Sequence, residues 1–419
     1  MARIQDLTDN RKSFDEVVVI GNGLIDPRKP EFQGSLHVGP DNISGESGRV
    51  LHPLQTAREL GLKSGKFPFQ AGDILYSKIR PNLNKVAIAD VDGICSADMY
   101  VLKPKGIDRS FLFHSLRGEL FYRQAVAASM RSGLPKVNRD DLSMMELKVP
   151  PLSEQRRIAA ILDEWDRAIA TAEKLADSKT IRKNGIQGEL VAQIDKLAKS
   201  HVELRTLSRE VTRKNDGTDH PIMTIGSKDG YILQSKRYSR DMTGKSLENY
   251  TLLNRGEFSY NKGNSKSYPQ GCIYRLHQNS ALVPNVYISF AMHVSDTASF
   301  YETLFEAGYL NRQLSRLINS GVRNDGLLNI GSDDFFSCTI PVVAEGLREK
   351  FSAALRESSV DVSAAFHQAK LLRLQKRGLM QKLLSGDWPV PASIDRLLPG
   401  GLEVDEVVRA EVQRAEATG

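Results

Sequence analysis

"VPPLSEQRRIAAILDEWDRAIA" occupies residues 149–170, near the middle of a 419-residue chain. Two prolines precede polar, apolar and charged residues that recur with a helical period, and proline is tolerated at or just before the first turn of a helix. Ser153 is a suitable N-cap, and a helix from there to about Leu197 would be about 65 Å long. One domain cannot bury a helix of that length, so the stretch predicts a spacer.

The chain contains this helix twice. The apolar seam of the first copy alternates spacings of four and three, which is typical of a coiled coil. Adding 193 to each position gives a second, mostly apolar seam in the same register. The two seams are Ile158, Leu162, Trp165, Ile169, Ala172, Ala176, Lys179, Lys183, Ile186 and Leu190, and Phe351, Leu355, Ser358, Val362, Ala365, Ala369, Leu372, Lys376, Leu379 and Leu383. Each seam alone would expose an apolar stripe, so we expect the helices to pair in antiparallel orientation. The alternative is that each helix packs only on its own domain.

The segments ahead of the helices also correspond. "AGDILYSKIRP" at 71–81 resembles "RGEFSYNKGNS" at 255–265, each a Gly-acid turn, a strand and a basic loop. The predicted fold is α+β, with two tandem domains separated by two long antiparallel coiled-coil helices and a pseudo-two-fold internal repeat. The predicted bounds are 1–150 for the first domain, 151–199 for the first helix, 200–343 for the second domain, 344–388 for the second helix and 389–419 for an acidic, solvated C-terminal tail.

The composition is that of a folded protein, with 40% hydrophobic and 26% charged residues and a formal net charge of +6. Such a charge permits a polyanionic partner. No apolar run approaches the ~18 residues of a membrane span, and we expect a cytoplasmic location. Cys95, Cys272 and Cys338 lie far apart, which argues against disulfides and zinc.

Two matched pairs of loops carry residues suited to reading DNA, where Lys and Arg contact phosphates or guanine and Asn contacts adenine. The first pair supplies Lys78, Arg80, Asn82, Asn84 and Lys85 in one domain, and Asn261, Lys262, Asn264, Ser265, Lys266 and Tyr268 in the other. The second pair, directly before the helices, supplies Arg131, Lys136, Arg323 and Asn324, and a basic segment adds Lys236 and Arg237. Solvated surface loops would carry similar residues, but the repetition of both position and composition favours binding. Two different domains on a spacer could each read one half-site, about 34–36 Å apart on one face of B-DNA.

The sequence does not favour an enzyme. An adenine methyltransferase would need an Asn/Asp-Pro-Pro-aromatic loop and a glycine-rich cofactor turn. "GNGLID" at residues 21–26 lacks the GxGxxG spacing of such a turn. No GxxxxGK[ST] sequence is present for ATP.

The chain resembles the specificity subunits of type I restriction-modification systems over roughly residues 3–388. The resemblance rests on "VPPLSEQRRIAAILDEWDRAI", "IRKNGIQGEL" and "LQKRGLMQKLLSGDW" in the helices, and on "GDILYSKIRP" and "SGLPKVNRDDL" in the domains. It implies two target recognition domains that bind a bipartite, asymmetric site on double-stranded DNA, and no catalytic activity in this chain. It also implies two adenine-specific methyltransferase subunits and two endonuclease/translocase subunits as partners, which would carry S-adenosylmethionine, ATP and Mg²⁺. The chain itself would hold no cofactor or metal. A recognition scaffold of another modification or defence complex, and a non-specific coiled-coil scaffold, remain as alternatives.

Overall fold

The computed structural model describes residues 10–130, 135–226, 230–237, 244–262, 269–318 and 328–396. These residues form two compact units, one within Met1–Glu173 and Gln368–Gly419 and the other within Lys174–His367. Each unit contains one α+β domain and part of each long helix. No helix in the described ranges is long and apolar enough to cross a membrane.

The first domain mixes short strands with short helices. In chain order it contains β1 (Arg11–Ser13), α1 (Phe14–Val17), β2 (Val18–Ile20), β3 (His37–Val38), β4 (Phe67–Phe69), β5 (Ile74–Ser77), β6 (Val86–Ile88), β7 (Gly93–Cys95), β8 (Met99–Pro104), α2 (Arg109–Arg117), α3 (Glu119–Ser129), α4 (Arg139–Ser143) and β9 (Glu146–Lys148). Its antiparallel four-stranded sheet has the order β2-β8-β5-β6, and a second sheet has the order β3-β7-β4 with β3 and β7 parallel. All four residues of β5 are buried, as expected for an apolar run at the centre of a sheet.

A long helix, α5 (Leu152–Leu197), leads to the second domain. That domain contains β10 (Ser200–Glu203), α6 (Leu204–Leu207), β11 (Ser208–Glu210), β12 (Met223–Gly226), β13 (Gly230–Leu233), α7 (Gln234–Arg237), β14 (Thr251–Asn254), β15 (Phe258–Asn261), β16 (Cys272–Arg275), β17 (Ser280–Val283), β18 (Ile288–Met292), α8 (Ala298–Glu306), α9 (Asn311–Leu317), α10 (Ser332–Phe336) and β19 (Thr339–Val342). The second long helix, α11 (Glu345–Ser385), follows.

The two domains share a topology. The sheet β11-β18-β15-β16 repeats the order of β2-β8-β5-β6, and the pair β10-β19 repeats β1-β9. β14 pairs with β17, to which Ile222 adds a parallel bridge at Leu282, in correspondence with β4, β7 and β3. The internal repeat inferred from the helices therefore extends through both domains.

The Gly-acid turns predicted before β5 and β15 are built alike. Gly72 and Gly256 adopt φ of +94° and +91°, a region that glycine enters without steric cost. In each turn the acid accepts a backbone hydrogen bond from three residues back, at 2.9 Å from Gln70 to Asp73 and at 2.8 Å from Asn254 to Glu257. Each turn starts a strand, β5 or β15, and a basic loop follows that strand. The turns therefore determine where both basic loops begin.

The start of α5 differs slightly from the prediction. The carbonyl of Pro151 accepts the first helical hydrogen bonds, from Glu154 at 2.9 Å and from Gln155 at 3.0 Å. Ser153 therefore lies inside the first turn, and the prediction that it is the N-cap is wrong. The reason is that a proline, whose own nitrogen cannot donate, is accommodated at the very start of a helix.

The predicted seams are the covered faces of the two long helices. All seam positions of α5 and α11 are buried or half-buried, whereas Ile181 and Val360, which lie off the seams, are 73% and 66% exposed. In the first unit Lys376 Nζ lies 2.5 Å from Asp166 Oδ2, and Arg373 pairs with Glu173, so these parts of the helices contact each other in antiparallel order.

In the second unit Lys179 Nζ lies 3.1 Å from Asp361 Oδ2, so the two helices are in contact there too. The seam lysines at positions 179 and 376 thus form ion pairs, and Lys376 is buried.

Each domain closes its core with both helices. In the first unit Ile158 and Leu162 of α5 and Leu383 of α11 join the core around Phe14, Phe111 and Phe121. Each fully buried side chain of this size stabilises the fold by about 1.5–3 kcal/mol.

In the second unit Ile194 and Phe351 take the same role. The core there is aromatic, with Tyr260 stacked on Phe335 at a centroid distance of 4.7 Å and Phe258 on Phe290 at 5.1 Å.

The segment after α11 corrects the prediction of a solvated tail from residue 389. Val390 is buried in the first core, and Ile394 packs against it. Arg157 of α5 donates two hydrogen bonds to Asp395, at 2.7 and 3.0 Å. Composition alone suggested solvation because the acidic residues mask two apolar anchors, and residues beyond Arg396 lie outside the described ranges.

Candidate nucleic-acid interface

The two loops singled out in the first domain lie side by side. Ile79 forms an antiparallel bridge with Lys136, Arg80 N donates to the carbonyl of Pro135 at 2.9 Å, and Val137 N donates to the carbonyl of Lys78 at 2.8 Å. The loop after β5 and the segment before α4 are therefore one surface, although they lie far apart in the sequence. We call residues 78–85 with residues 135–139 the first reading surface.

The backbone of this surface is unusual at two positions. Arg80 and Asn84 adopt left-handed conformations, with φ of 49° and 47°, on either side of the short 3-10 helix Pro81–Leu83. A left-handed residue with a Cβ costs about 1–2 kcal/mol, which the surrounding hydrogen bonds must offset. The turn carries the side chains of Arg80 and Asn82 into solvent, and Lys136 beside them is exposed as well.

The other three predicted residues of the loop contact the domain itself. Asn84 Nδ2 donates to the carbonyl of Arg117 at 3.0 Å, and Lys85 Nζ donates to the carbonyl of Pro40 at 2.6 Å. Lys78 Nζ lies 5.4 Å from the centre of the Tyr100 ring, a distance at which the ring face attracts a cation. Burial lowers the pKa of this ammonium, and the charge of Lys136 adds to the effect. These contacts hold the loop, whereas Arg80, Asn82 and Lys136 present their polar groups outward.

Arg139 was not among the predicted site residues. It is exposed at the start of α4, its guanidinium lies 6.0 Å from the Tyr100 ring centre, and it donates to the carbonyl of Gly21 at 3.3 Å. It follows Asn138, whose side chain caps α4 by accepting from Asp141 N at 2.7 Å. The sequence signal that identifies Arg139 is the helix cap: Asn138 starts α4, so the exposed residue that follows it lies at the first reading surface.

The second domain repeats this arrangement. Leu328 N donates to the carbonyl of Lys262 at 2.7 Å, as Val137 does to Lys78, and Lys262 Nζ donates to the carbonyl of Ile330 at 3.2 Å. The loop after β15 and the segment before α10 therefore meet in the second domain also. The predicted residues Arg131, Asn264, Ser265, Lys266, Tyr268, Arg323 and Asn324 lie outside the described residues.

The basic segment of the second domain lies next to the same loop. Arg237 Nη1 donates to the carbonyl of Ile225 at 2.6 Å, and Asn261 Nδ2 approaches the same oxygen at 3.5 Å. Lys236, one residue earlier on α7, is exposed. Two predicted residues from separate segments, Arg237 and Asn261, thus meet at one carbonyl of the second domain.

A cluster in the first unit has the residue types of a metal site. Among the described residues, single ligand atoms of His114, Asp163 and Asp166 all lie within 4.8 Å of one another. The oxygens are already engaged, since Ser110 Oγ lies 2.7 Å from both oxygens of Asp163, His114 Nε2 lies 2.8 Å from one of them, and Lys376 pairs with Asp166. The Lys376 ammonium already supplies the positive charge beside Asp166, so the cluster fits a structural network better than a metal centre.

Burial governs the charges in this network. Burial lowers the pKa of His114, while the hydrogen bond to Asp163 acts in the opposite direction. Burial also works against the charge of Asp163, but the hydrogen bonds from His114 and Ser110 outweigh it and hold the pKa of that carboxyl below its usual value. The network links α2 of the domain to α5 and α11, and so fixes the first reading surface relative to the adjoining helix segments.

The cysteines are not poised for chemistry. Burial raises the pKa of the Cys95 thiol to about 12 and of the Cys272 and Cys338 thiols to about 11. Thiolate is the reactive form, and at neutral pH these groups stay protonated.

The chain is similar in sequence to known proteins. Residues 37–178 match the family described as "Type I restriction modification DNA specificity domain". The chain is 37% identical over 180 residues to the type I restriction enzyme EcoDI specificity subunit of Escherichia coli, an alignment that spans 43% of this chain and 40% of that protein. The chain thus aligns with less than half the length of this curated relative.

Two solved structures have the same overall fold. A chain from the structure described as "Structural basis underlying complex assembly and conformational transition of the type I R-M system" matches with a TM-score of 0.55 and 15% identity, over 90% of this chain and 98% of that chain. The type I restriction-modification system S subunit from M. genitalium matches with a TM-score of 0.51 and 13% identity, over 89% of this chain and 95% of that chain. At such identities the likeness concerns the fold alone. Residues 37–178 of this chain thus match the type I restriction-modification DNA specificity domain, and the chain as a whole shares its fold with the two solved structures.

Proposed function

We propose that this chain is the DNA sequence-specificity subunit of a type I restriction-modification complex. It binds a bipartite, asymmetric site on double-stranded DNA, one half-site to each domain, and performs no catalysis itself. The observation that carries the proposal is the repeated pairing of a basic loop with the segment ahead of the next helix. The same backbone bond joins Lys78 to Val137 and Lys262 to Leu328, while the side chains around it differ. Because the two domains place their loops in the same way but carry different side chains there, they suit two half-sites of different sequence.

In the first domain, the exposed residues divide the work by their chemistry. Arg80 can donate two hydrogen bonds to the O6 and N7 of guanine, and Asn82 can pair with adenine through its amide. Lys136 and Arg139 flank them as phosphate contacts that orient the domain. The left-handed backbone at Arg80 projects the guanidinium while the loop stays tied to residue 135.

The helices have a separate task in this proposal. α5 and α11 form an antiparallel coiled-coil spacer that relates the two target recognition domains by a pseudo-two-fold axis and sets the distance between half-sites. Two adenine-specific methyltransferase subunits dock on their outward faces, and two endonuclease/translocase subunits complete the complex. S-adenosylmethionine, ATP and Mg²⁺ bind to those partner subunits. The paired seams and the ion pairs Asp166–Lys376 and Lys179–Asp361 support this arrangement.

The decisive experiment is to express this chain with the methyltransferase encoded beside it and to map methylated adenines across a genome by long-read sequencing. We expect one motif with two defined halves at a fixed spacing, absent when this chain is omitted. Methylation that is unchanged without the chain would refute the proposal. That outcome would favour a scaffold of another modification complex, and binding to DNA with no sequence preference would favour a non-specific scaffold.

A matched pair of variants then tests Arg80. Arg80→Ala removes the guanidinium and leaves a strained Cβ, whereas Arg80→Gly removes the guanidinium and the strain together. If Arg80 reads a base, both variants should relax the motif at one position, at a cost of about 1–3 kcal/mol in binding. Loss in Arg80→Ala with recovery in Arg80→Gly would assign the residue a role in loop conformation only.

A further inference from the structure

The first unit contains a groove of about 560 Å³ beside the first reading surface. One wall is formed by loop residues 45–49 and 82–84, and the other by α5 and α11. Its charged lining consists of Glu46, Arg49, Arg117, Glu119, Asp166, Glu173, Lys370, Arg373, Lys376 and Arg377. We call it the helix groove.

The acids of the helix groove are neutralised within the unit. Arg373 pairs with both Glu46 and Glu173, Lys376 pairs with Asp166, and Arg123 on α3 pairs with Glu119 at 2.6 Å. The four carboxylates therefore contribute little negative charge to the groove.

Two further cations of the helix groove, Arg49 and Arg117, donate hydrogen bonds to backbone carbonyl groups. Arg49 donates to the carbonyl of Asp166 at 3.1 Å, and Arg117 donates to the carbonyls of Val86, Gly45 and Glu46. Neither guanidinium forms an ion pair with a carboxylate in the described part of the chain, so the groove keeps a positive potential.

Lys370 and Arg377 are left exposed on the wall formed by α11. They are seven residues apart, hence on the same face of the helix and about 10 Å from each other. Neither forms an ion pair with a carboxylate of the described ranges. The surrounding stretch, residues 362–386, contains five Lys or Arg and no Asp or Glu. Lys370 and Arg377 are thus two cations on this wall of the groove that have no carboxylate partner among the described residues.

We propose that the helix groove holds the sugar-phosphate backbone of the DNA next to the half-site of the first domain, with Lys370 and Arg377 on two of its phosphates. The proposal rests on the proposed function. Asn82 belongs both to the first reading surface and to the groove wall, so a duplex read by that surface continues toward the groove. Lys and Arg without internal partners are the side chains that phosphates recruit, and each phosphate neutralised releases counterions. The α11 helix would then be part of the DNA-binding surface, gripping DNA without reading its sequence.

The test uses the complex of the full chain with its methyltransferase and a fluorescent duplex that carries the mapped motif. Binding is measured over a series of salt concentrations for the wild type and for the double variant Lys370→Gln/Arg377→Gln. Loss of two phosphate contacts should make the slope of log K against log salt shallower by about 1.8. Between ~1 M and ~0.1 M salt, the affinity of the variant should therefore rise by about 60-fold less than the affinity of the wild type. The preference for the motif over a scrambled duplex should stay the same, because phosphates carry no sequence information.

The matched control is Arg58→Gln/Lys63→Gln, which removes the same charge from two exposed residues of the same domain that do not line the helix groove. The inference is supported if only the groove variant changes the slope. It is overturned if the groove variant changes the slope no more than the control does. It is also overturned if the groove variant fails to assemble with the methyltransferase, since the cations would then bind an acidic surface of that protein. A wild-type complex with no preference for the motif would instead refute the proposed function itself.

Discussion

The ion pair between Lys376 and Asp166 offers the sharpest test of how the first unit is held together. Lys376 is 9% exposed, its ammonium lies 2.5 Å from the carboxylate, and burial lowers its pKa although Asp166 opposes the shift. Replacing Lys376 with Met leaves a largely desolvated carboxylate without its partner. Such a loss costs about 3–5 kcal/mol when burial is complete. The Asp166 side chain is 26% exposed. We therefore expect the free energy of unfolding to fall by less than that, about 2–3 kcal/mol.

The assay follows tryptophan fluorescence during urea unfolding. The chain has two tryptophans, Trp165 and Trp388, and both lie in the first unit, so the signal reports on that unit alone. The double variant Lys376→Met/Asp166→Leu removes both charges and should recover most of the lost stability, because an apolar pair of similar volume often replaces a buried ion pair without cost.

The control is Lys382→Met on the same helix. Lys382 pairs with Asp387, but both side chains are about half exposed, so the cost should stay below about 1 kcal/mol. The reasoning is refuted if Lys376→Met costs no more than Lys382→Met, or if the double variant is as unstable as Lys376→Met alone.

Three further perturbations have defined outcomes. His114 is fully buried, its Nδ1 has no hydrogen-bond partner among the described residues, and burial lowers its pKa. The unfolded chain therefore takes up the proton first, so stability should fall as the pH drops below about 6.5, and His114→Phe should lessen that fall in the same fluorescence assay. Gly378→Ala places a methyl group where no atom of the described residues, apart from the backbone of its own helix, lies within 4 Å. Urea unfolding should show a gain of about 0.5–1 kcal/mol from helix propensity, and a loss would reveal a hidden contact. Asp395→Asn breaks the two-fold hydrogen bond from Arg157 and should lower stability at neutral pH. Arg157 holds the pKa of Asp395 below its usual value. The wild type therefore loses the same interaction when the pH falls through that lowered pKa. At that pH the difference in stability between wild type and variant, measured by urea unfolding, should shrink.

The sequence predicts the repeated parts of this molecule well and the unrepeated contacts poorly. The seams of α5 and α11 follow from a heptad spacing that sets which residues face inward, and the turns at Gly72 and Gly256 follow from local chemistry. The docking of residues 389–396 depends on only two apolar side chains and one arginine 238 positions away, which no local pattern encodes.

The reading surface shows the same division. The sequence predicts its two loops separately, because each repeats in composition, but the hydrogen bond between Lys78 and Val137 that joins them is a tertiary contact. The roles of Asn84 and Lys85 could not be separated from those of Arg80 and Asn82 by sequence, since the difference lies in a left-handed backbone that turns some side chains inward and others outward. Those individual contacts to DNA stay predictions.

The strand pairs β1-β9 and β10-β19 have an implication for how such a chain changes over time. Ser13 lies opposite Glu146, and Glu203 lies opposite Thr339. We call residues 14–145 and 204–338, which lie between the paired strands, the two domain bodies. The chain therefore enters and leaves each domain body at neighbouring points about 5 Å apart, the spacing of paired strands. Each body is an insertion at a single place in a frame made of two strand pairs and two helices. A crossover on either side of that place would exchange one body for another of different sequence and leave the frame intact. New combinations could arise by swapping whole modules, with no need for the remainder of the chain to adapt.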